Sequence, residues 1–297
     1  MHWAEVEKIA NAVLYEGYIL YPYRPSSVKN QKRFNFGVLL PPAFSAAENN
    51  TEACFMRTEC LIEGGPQTKA EIKVRFLQPA CAGAWMEAIE RVVGPAAWRI
   101  CDLADASRRE SFDFPNIQGT VELAAARIEK RLYRLTVTIS NETRIEAAES
   151  MDREQVLPHS CASTHTILGV EGGDFVSLLE PPDEFAGAAA ACRNVGTWPI
   201  LVGEQGDRSM MLSSPIILYD YAQIAPESPG DLFDGAEIDE ILTLRIMTLT
   251  EEEKREMRAA DDRGRQILER TESLPPEQLM KLHGVLRALR PADGGDR

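Results

Sequence analysis

The sequence predicts an α+β protein, with strands concentrated in the N-terminal half and helices at the C-terminal end. Apolar residues alternate with charged ones over 54–62 and again over 70–76, as in strands that have one buried and one exposed face. From residue 236 onward the apolar residues recur every three or four positions, as in amphipathic helices. Strands followed by helices along the chain are typical of the α+β class.

Two β-hairpins are predicted in the N-terminal half. The first covers 54–78, because the two alternating runs flank Gly64, Gly65 and Pro66. The second covers 119–140, with its tip at 129–130. If the apolar faces of both hairpins meet in one core, the inward-facing residues should all be buried: Cys60, Ile72, Val74, Val137 and Ile139. Other spacings in this half predict helices over 3–15 and 82–93 and a strand over 34–40.

A polar, acidic segment at 142–158 predicts a linker or a long exposed helix. It suggests a division into an α+β domain at 1–145, a mixed α/β segment at 159–235 and a helical region at 236–290. In the helical region, Thr250 and Glu253 form the pattern of a capping box at a helix start. The elements predicted for the middle segment are strands over 166–170, 175–179, 198–202 and 215–219 and a helix over 183–192.

Composition limits the classes of function. The 297 residues carry a formal net charge of -14, which disfavours non-specific binding to nucleic acid or anionic lipid. No apolar run approaches the roughly 18 residues of a spanning helix, and the acidic N-terminal segment does not resemble a signal peptide. We therefore expect a cytoplasmic protein without membrane insertion; the sequence leaves its oligomeric state open.

A basic cluster within this acidic chain is a candidate partner-binding site. It consists of four cations within ten residues that contain no acid, flanked by aromatic residues: Arg24, Lys29, Lys32 and Arg33. Such a loop could dock an acidic partner or an anionic ligand, and reversal of its charges should then leave folding intact. The alternative is an ordinary solvated loop.

An acidic cluster at 204–240 is the opposite candidate. Its densest part, ESPGDLFDGAEIDE, contains Asp231, Asp234 and Glu237. These carboxylates could dock a basic partner. Two alternatives are a helix cap at Asp234 within a solubilising surface, and a divalent-cation loop, although the spacing of an EF-hand is missing.

The segment HSCASTH holds the candidate metal ligands His159, Cys161 and His165. Imidazole and thiolate suit zinc or nickel, but a closed site needs a further ligand from elsewhere, and the alternative is that all three residues serve packing. The six cysteines form no CxxC pair. Motifs for nucleophilic catalysis, a P-loop and a dinucleotide site are also missing, so the sequence predicts no cofactor and favours a protein that is not an enzyme.

Two stretches, LYEGYILYPYRPSSVKNQKRFNFGVLLP at 14–41 and the segment beginning MLSSPIILYDYAQIAPESPGDLF at 211, resemble a bacterial family found in the gene neighbourhoods of uptake NiFe hydrogenases. The resemblance implies a context and no catalytic residues. It implies a non-catalytic accessory or assembly protein that binds a hydrogenase subunit or maturation factor through charged surfaces. The alternatives are a metal carrier or metalloenzyme that uses the HSCASTH residues, and a structural subunit of a larger complex.

Overall fold

The computed structural model describes residues 3–24, 27, 30, 33–47, 51–82, 85–147, 150–224, 239–260 and 262–275. These residues form one eight-stranded antiparallel sheet and a C-terminal group of helices, which confirms the α+β class. The strands are β1 (Phe55–Ala82), β2 (Trp85–Arg99), β3 (Arg108–Phe114), β4 (Ile117–Arg127), β5 (Leu132–Asn141), β6 (Ala162–Val176), β7 (Trp198–Leu201) and β8 (Met210–Ser214). The helices are α1 (Trp3–Tyr15), α2 (Pro42–Ser45), α3 (Ile100–Asp105), α4 (Arg153–Val156), α5 (Ala186–Ala190), α6 (Asp239–Met247), α7 (Glu251–Ala260) and α8 (Asp262–Glu272).

The long strand β1 organises the sheet, whose order is β3-β4-β5-β1-β6-β8-β7 with β2 also paired to β1. The first part of β1 pairs with β5, the last part pairs with β2, and both parts pair with β6. The predicted hairpin over 54–78 is therefore wrong, because the chain continues through 64–66 without reversing its direction.

A bulge explains how β1 passes this turn-like sequence. From Gly64 to Lys69 the strand advances while its partner β6 advances only from Gly173 to Glu171. Pro66 lies inside the bulge, where no ladder hydrogen bond is required of it. The Thr68 hydroxyl closes the bulge, since it accepts a hydrogen bond from the Gly65 amide at 2.9 Å and donates one to the Gly172 carbonyl at 2.7 Å.

The helix predicted over 82–93 is also wrong, because this segment forms most of β2. Residues 85–99 pair with 69–82 of β1, so backbone pairing across strands replaces the intrahelical hydrogen bonds. Of the apolar residues that suggested a helical stripe, Ile89 and Val92 are exposed.

The second predicted hairpin is confirmed as β4 and β5. The predicted burial is confirmed as well, since all five inward-facing residues are at most 3% exposed and belong to one apolar cluster. On the other face of the sheet, α1 packs its apolar side against β6, β7 and β8; the central contacts involve Val6, Ala10, Ile167, Ile200 and Leu212. Ion pairing between Lys73 and Glu7 at 2.6 Å adds to this contact.

Elements after residue 159 differ in part from the prediction. The strand expected at 166–170 and the first two residues of the one expected at 175–179 belong to a single strand, β6, which ends at Val176. The strand expected at 198–202 is present as β7. The helix expected over 183–192 is a 3-10 turn, Asp183–Phe185, followed by α5. No strand forms at 215–219, and at 34–40 the only β contact in the described residues is the bridge between Leu39 and Cys161.

Backbone contacts divide the chain into two compact units, residues 1–18 with 32–223 and residues 19–31 with 224–297. The first unit contains the whole sheet. The division expected at 145–159 does not separate two bodies, because β6 on one side of it pairs with β1 on the other.

The second unit contains α6, α7 and α8. The predicted capping box is present at the start of α7, where the Glu253 amide donates to the Thr250 hydroxyl at 3.2 Å and the Thr250 amide donates to the Glu253 carboxylate at 2.9 Å. Helices α7 and α8 are joined by ion pairs of Glu272 with Lys254 and Arg258. No helix within the described ranges is both long and apolar enough to cross a membrane.

Candidate functional site: an aromatic-lined cavity

The two described members of the basic cluster form contacts with other residues of this protein. Arg24 forms ion pairs with Glu253 at 3.2 Å and Glu256 at 3.7 Å, all three within the second unit. Lys29 and Lys32 lie outside the described residues. The cluster has no acidic neighbours along the sequence. In the folded second unit, however, α7 supplies two carboxylates to Arg24.

Arg33 lies inside the first unit, where it is only 5% exposed. Its guanidinium donates to the Tyr18 carbonyl at 3.0 Å and to the Met86 carbonyl, and it stacks on the rings of Tyr18 and Phe34 at 5.2 and 4.9 Å. The expectation that this residue lies on an exposed docking loop is wrong. Reversal of the Arg33 charge should therefore destabilise the fold, contrary to the expectation from the sequence, because a buried carboxylate would meet two carbonyl oxygens.

In the acidic cluster, Asp231, Asp234 and Glu237 lie outside the described residues. Asp220, one of the described members of this cluster, has a structural role. Its carboxylate accepts hydrogen bonds from the Ser177 hydroxyl at 2.5 Å and from the Leu201 amide at 2.7 Å. The Tyr221 amide donates to the Leu201 carbonyl at 2.7 Å, so this loop covers the outer edge of β7 at Leu201.

The three HSCASTH residues point to different surroundings. His159 ends a 3-10 turn, and its Nδ1 lies 3.1 Å from the Asn116 carbonyl. Cys161 is buried in the apolar core, and this burial raises the pKa of its thiol. His165 is buried on the face of the sheet that carries Lys73 and Arg75, and its Nδ1 lies 2.9 Å from the Ser163 carbonyl. In the described part of the chain, no three His, Cys, Asp or Glu side chains are grouped so that they could hold a metal ion.

The first unit contains a cavity of about 300 Å³ that sequence analysis did not predict. Three large aromatic side chains line it and remain exposed to solvent: Phe36 at 43%, Phe55 at 37% and Trp198 at 44%. Met56 and Leu39, which are almost fully buried, also line the cavity. It therefore has an aromatic rim and an apolar interior.

Three separate chain segments hold the aromatic rim in place. Phe55 begins β1, and Trp198 begins β7. Phe36 lies on a loop whose carbonyls at Phe36 and Gly37 accept hydrogen bonds from the amides of Ser163 and Thr164 at 2.8 and 3.1 Å.

Gly37 is required at its position in this loop. Its φ is +52°, and a Cβ atom there would lie 2.7 Å from the Pro215 side chain. Pro215 also lines the cavity. A side chain at position 37 would therefore clash with this wall of the cavity.

The charged groups that line the cavity are already paired with the protein. Arg153, on α4, donates from Nε to the Glu52 carboxylate at 2.6 Å and from Nη2 to the Phe34 carbonyl at 2.7 Å. Both side chains are about one-third exposed. Because their charges compensate each other, the cavity is suited to an apolar group.

A weak signal of this site is present in the sequence. The alternation along 54–62 places Phe55 on the same face as Arg57 and Glu59, that is, on the face predicted to be wet. One exposed aromatic residue is ordinary by itself, so Phe55 alone does not identify a binding surface. The pattern could not show that Phe36 and Trp198 lie beside Phe55, because these contacts join distant parts of the chain.

Comparisons with protein-family models, with curated proteins and with solved structures find no match to this chain. We therefore infer the function from the cavity and the residues around it.

Proposed function

We propose that this protein is an accessory protein that holds a partner protein, and that it does so by seating an apolar side chain of the partner in the aromatic-lined cavity. The observation that carries the proposal is the convergence of exposed Phe36, Phe55 and Trp198 on one cavity. Single exposed apolar residues are ordinary, whereas several around one concavity indicate a binding surface.

The energetics of protein interfaces favour the seating of an apolar partner side chain among aromatic residues. Aromatic side chains dominate the energetics of protein interfaces, because they contribute a large contact area and lose little rotamer entropy. A partner side chain that enters the cavity would lose contact with water and gain contact with these rings and with Met56.

The size and polarity of the cavity favour a side chain over a metabolite. Its volume of about 300 Å³ lies at the lower end of the range of small-ligand sites. Among the described residues of the lining, Arg153 and Glu52 are the charged ones, and they bind each other. The resemblance of 14–41 and 211–261 to a family from hydrogenase gene neighbourhoods supports a hydrogenase subunit or maturation factor as the partner.

Photo-crosslinking followed by affinity measurement tests the proposal. A p-benzoylphenylalanine in place of Phe36 should crosslink the partner in hydrogenase-expressing bacteria, and the crosslinked protein can then be identified and purified. Calorimetry with the purified partner should give a Kd at least tenfold weaker for Trp198→Ala and for Phe55→Ala, since loss of an interface anchor costs about 2 kcal/mol.

Tyr219 provides a matched control, because it is an aromatic residue that is 85% exposed and does not line the cavity. Tyr219→Ala should bind the partner with unchanged Kd, and a crosslinker in its place should capture less of the partner. Unchanged binding by both Trp198→Ala and Phe55→Ala would show that the cavity is not the docking site.

A further inference from the structure

We infer that the partner segment seated in this cavity carries a carboxylate beside its apolar side chain, and that Arg57 binds this carboxylate. The inference rests on the proposed function and adds the chemistry of the segment. Phe55 lines the cavity, and Arg57 is on the same face of β1, two residues further along. The guanidinium carbon of Arg57 lies 5.9 Å from the centre of the Phe55 ring.

The backbone of Arg57 is fixed next to the cavity wall. Its amide donates to the Val195 carbonyl at 3.0 Å, and the Val195 amide donates to the Arg57 carbonyl at 2.9 Å. Gly196, the next residue, lines the cavity. Arg57 is thus positioned between the rim ring of Phe55 and the segment that leads to Trp198.

The side chain of Arg57 has an unused hydrogen-bond donor. Its Nε is buried, and no acceptor in the described residues binds it. Arg57 as a whole is only partly buried, and within the described residues its guanidinium forms no ion pair, so an external anion can supply the missing partner. A carboxylate is the acceptor that matches a guanidinium best, because it can receive two parallel hydrogen bonds.

On this face of β1, the neighbouring carboxylate along the strand belongs to Glu59. This carboxylate is occupied, because it accepts the Arg193 amide at 2.7 Å and lies 3.9 Å from the Arg134 Nε. Arg57 is thus left without a carboxylate partner in the described residues, which favours an anionic segment of the partner in this place.

Small tryptophan derivatives test the inference, because they supply the apolar group with and without the charge. Two probes carry a carboxylate, N-acetyl-Trp as the free acid and N-acetyl-Asp-Trp-amide. Their neutral counterparts are N-acetyl-Trp-amide and N-acetyl-Asn-Trp-amide. Titrations followed by NMR shifts of the full-length protein should show at least about fivefold tighter binding of each charged probe, with the preference reduced by salt. The free acid represents a C-terminal carboxylate and the Asp peptide an acidic side chain.

Variants separate the charge from the cavity. In Arg57→Gln the charged and neutral probes should bind equally, and Arg57→Lys should keep part of the preference. Trp198→Ala should weaken all four probes alike. Arg108→Gln, which changes an exposed arginine at the start of β3, should behave as the unaltered protein. Thermal unfolding checks that each variant is folded.

The outcomes distinguish the two proposals. Equal binding of charged and neutral probes by the unaltered protein, or a preference that survives in Arg57→Gln, would overturn the role of Arg57 and leave the cavity as an apolar site. If none of the probes shifts the resonances of cavity residues at millimolar concentration, the proposed function fails together with the inference.

Discussion

Arg33 and His165 are ionisable side chains in the interior of the first unit. They differ in whether the surrounding groups stabilise a positive charge. Two carbonyl oxygens and two aromatic faces replace the hydration of the Arg33 guanidinium. His165 is buried with its Nε2 lacking a hydrogen-bond partner in the described residues, and Arg75 and Lys73 lie nearby. Burial, together with these two cations, lowers the pKa of His165 to about 4.

This pKa predicts a pH dependence of stability. Between an ordinary histidine pKa of about 6.5 and the folded value of about 4, the unfolded chain binds a proton that the folded chain does not bind. The free energy of unfolding therefore falls as the pH falls through this window, and the contribution of His165 is fully present above pH of about 6.5. The slope that it adds is at most about 1.4 kcal/mol per pH unit.

Urea unfolding at pH 7 and pH 5 measures this contribution. The unaltered protein should lose about 2 kcal/mol more between these two pH values than His165→Asn, which cannot bind the proton. Carboxylates that titrate in the same range affect both proteins equally, so the difference isolates His165. Identical losses for both proteins would show that His165 is not held neutral in the folded state.

Strand β1 shows how an element can override a turn-like sequence. Gly64, Gly65 and Pro66 are residues that favour a reversal of the chain, yet the strands on both sides of this sequence bind the same neighbour, β6. Continuing the strand keeps both halves of β1 paired, and the bulge takes up the residues that do not fit the ladder. Thr68 is the side chain that stabilises the bulge through two hydrogen bonds.

The variant Thr68→Val tests this role. It keeps the shape and β-branching of the side chain but leaves the Gly65 amide and the Gly172 carbonyl without their side-chain partner, so we expect a loss of about 1 to 3 kcal/mol in the free energy of unfolding. Chemical denaturation measures the loss. Thr51→Val, at an exposed position, is the matched control and should change stability by less than about 0.5 kcal/mol. A loss for Thr68→Val no larger than for the control would show that the Thr68 hydroxyl does not stabilise the bulge.

At the scale of the whole molecule, the chain begins in the first unit, leaves it, returns to it and leaves it again. Residues 19–31 belong to the second unit although the residues before and after them belong to the first. Within the first unit, β1 joins the sheet of the N-terminal half to strands β6, β8 and β7. Within the second unit, helices α7 and α8 bind each other through their own ion pairs.

The separate organisation of the units predicts that residues 1–223 fold without the C-terminal helices. This truncated protein retains all eight described strands and should keep a near-ultraviolet circular dichroism signal and one cooperative urea transition. Residues 1–209 provide the matched control. They lack β8, whose five residues are all buried and which pairs with both β6 and β7, and they should lose the cooperative transition. A non-cooperative transition for residues 1–223 would show that the sheet depends on the second unit.

The sequence by itself determined which side chains are buried where local periodicity is strong, and where some elements begin. Val137 and Ile139 were predicted to face the core because strand geometry alone turns every second residue to the same side. Thr250 and Glu253 marked the start of α7 because a capping box is satisfied within one helical turn. Both inferences need only neighbouring residues, so a sequence pattern is sufficient for them.

Tertiary structure decided the pairing of the strands and the place of the candidate site. The apolar spacing over 82–93 fits a helix, but backbone hydrogen bonds to β1 made this segment a strand. Arg33 belongs to a basic run in the sequence and lies in the interior because Tyr18 and Met86, far from it along the chain, supply its acceptors. Phe36, Phe55 and Trp198 meet at one cavity only after the sheet has formed. The physical reason is common to all three cases: periodicity reports the face of a local element, whereas partners and exposure depend on contacts between distant segments.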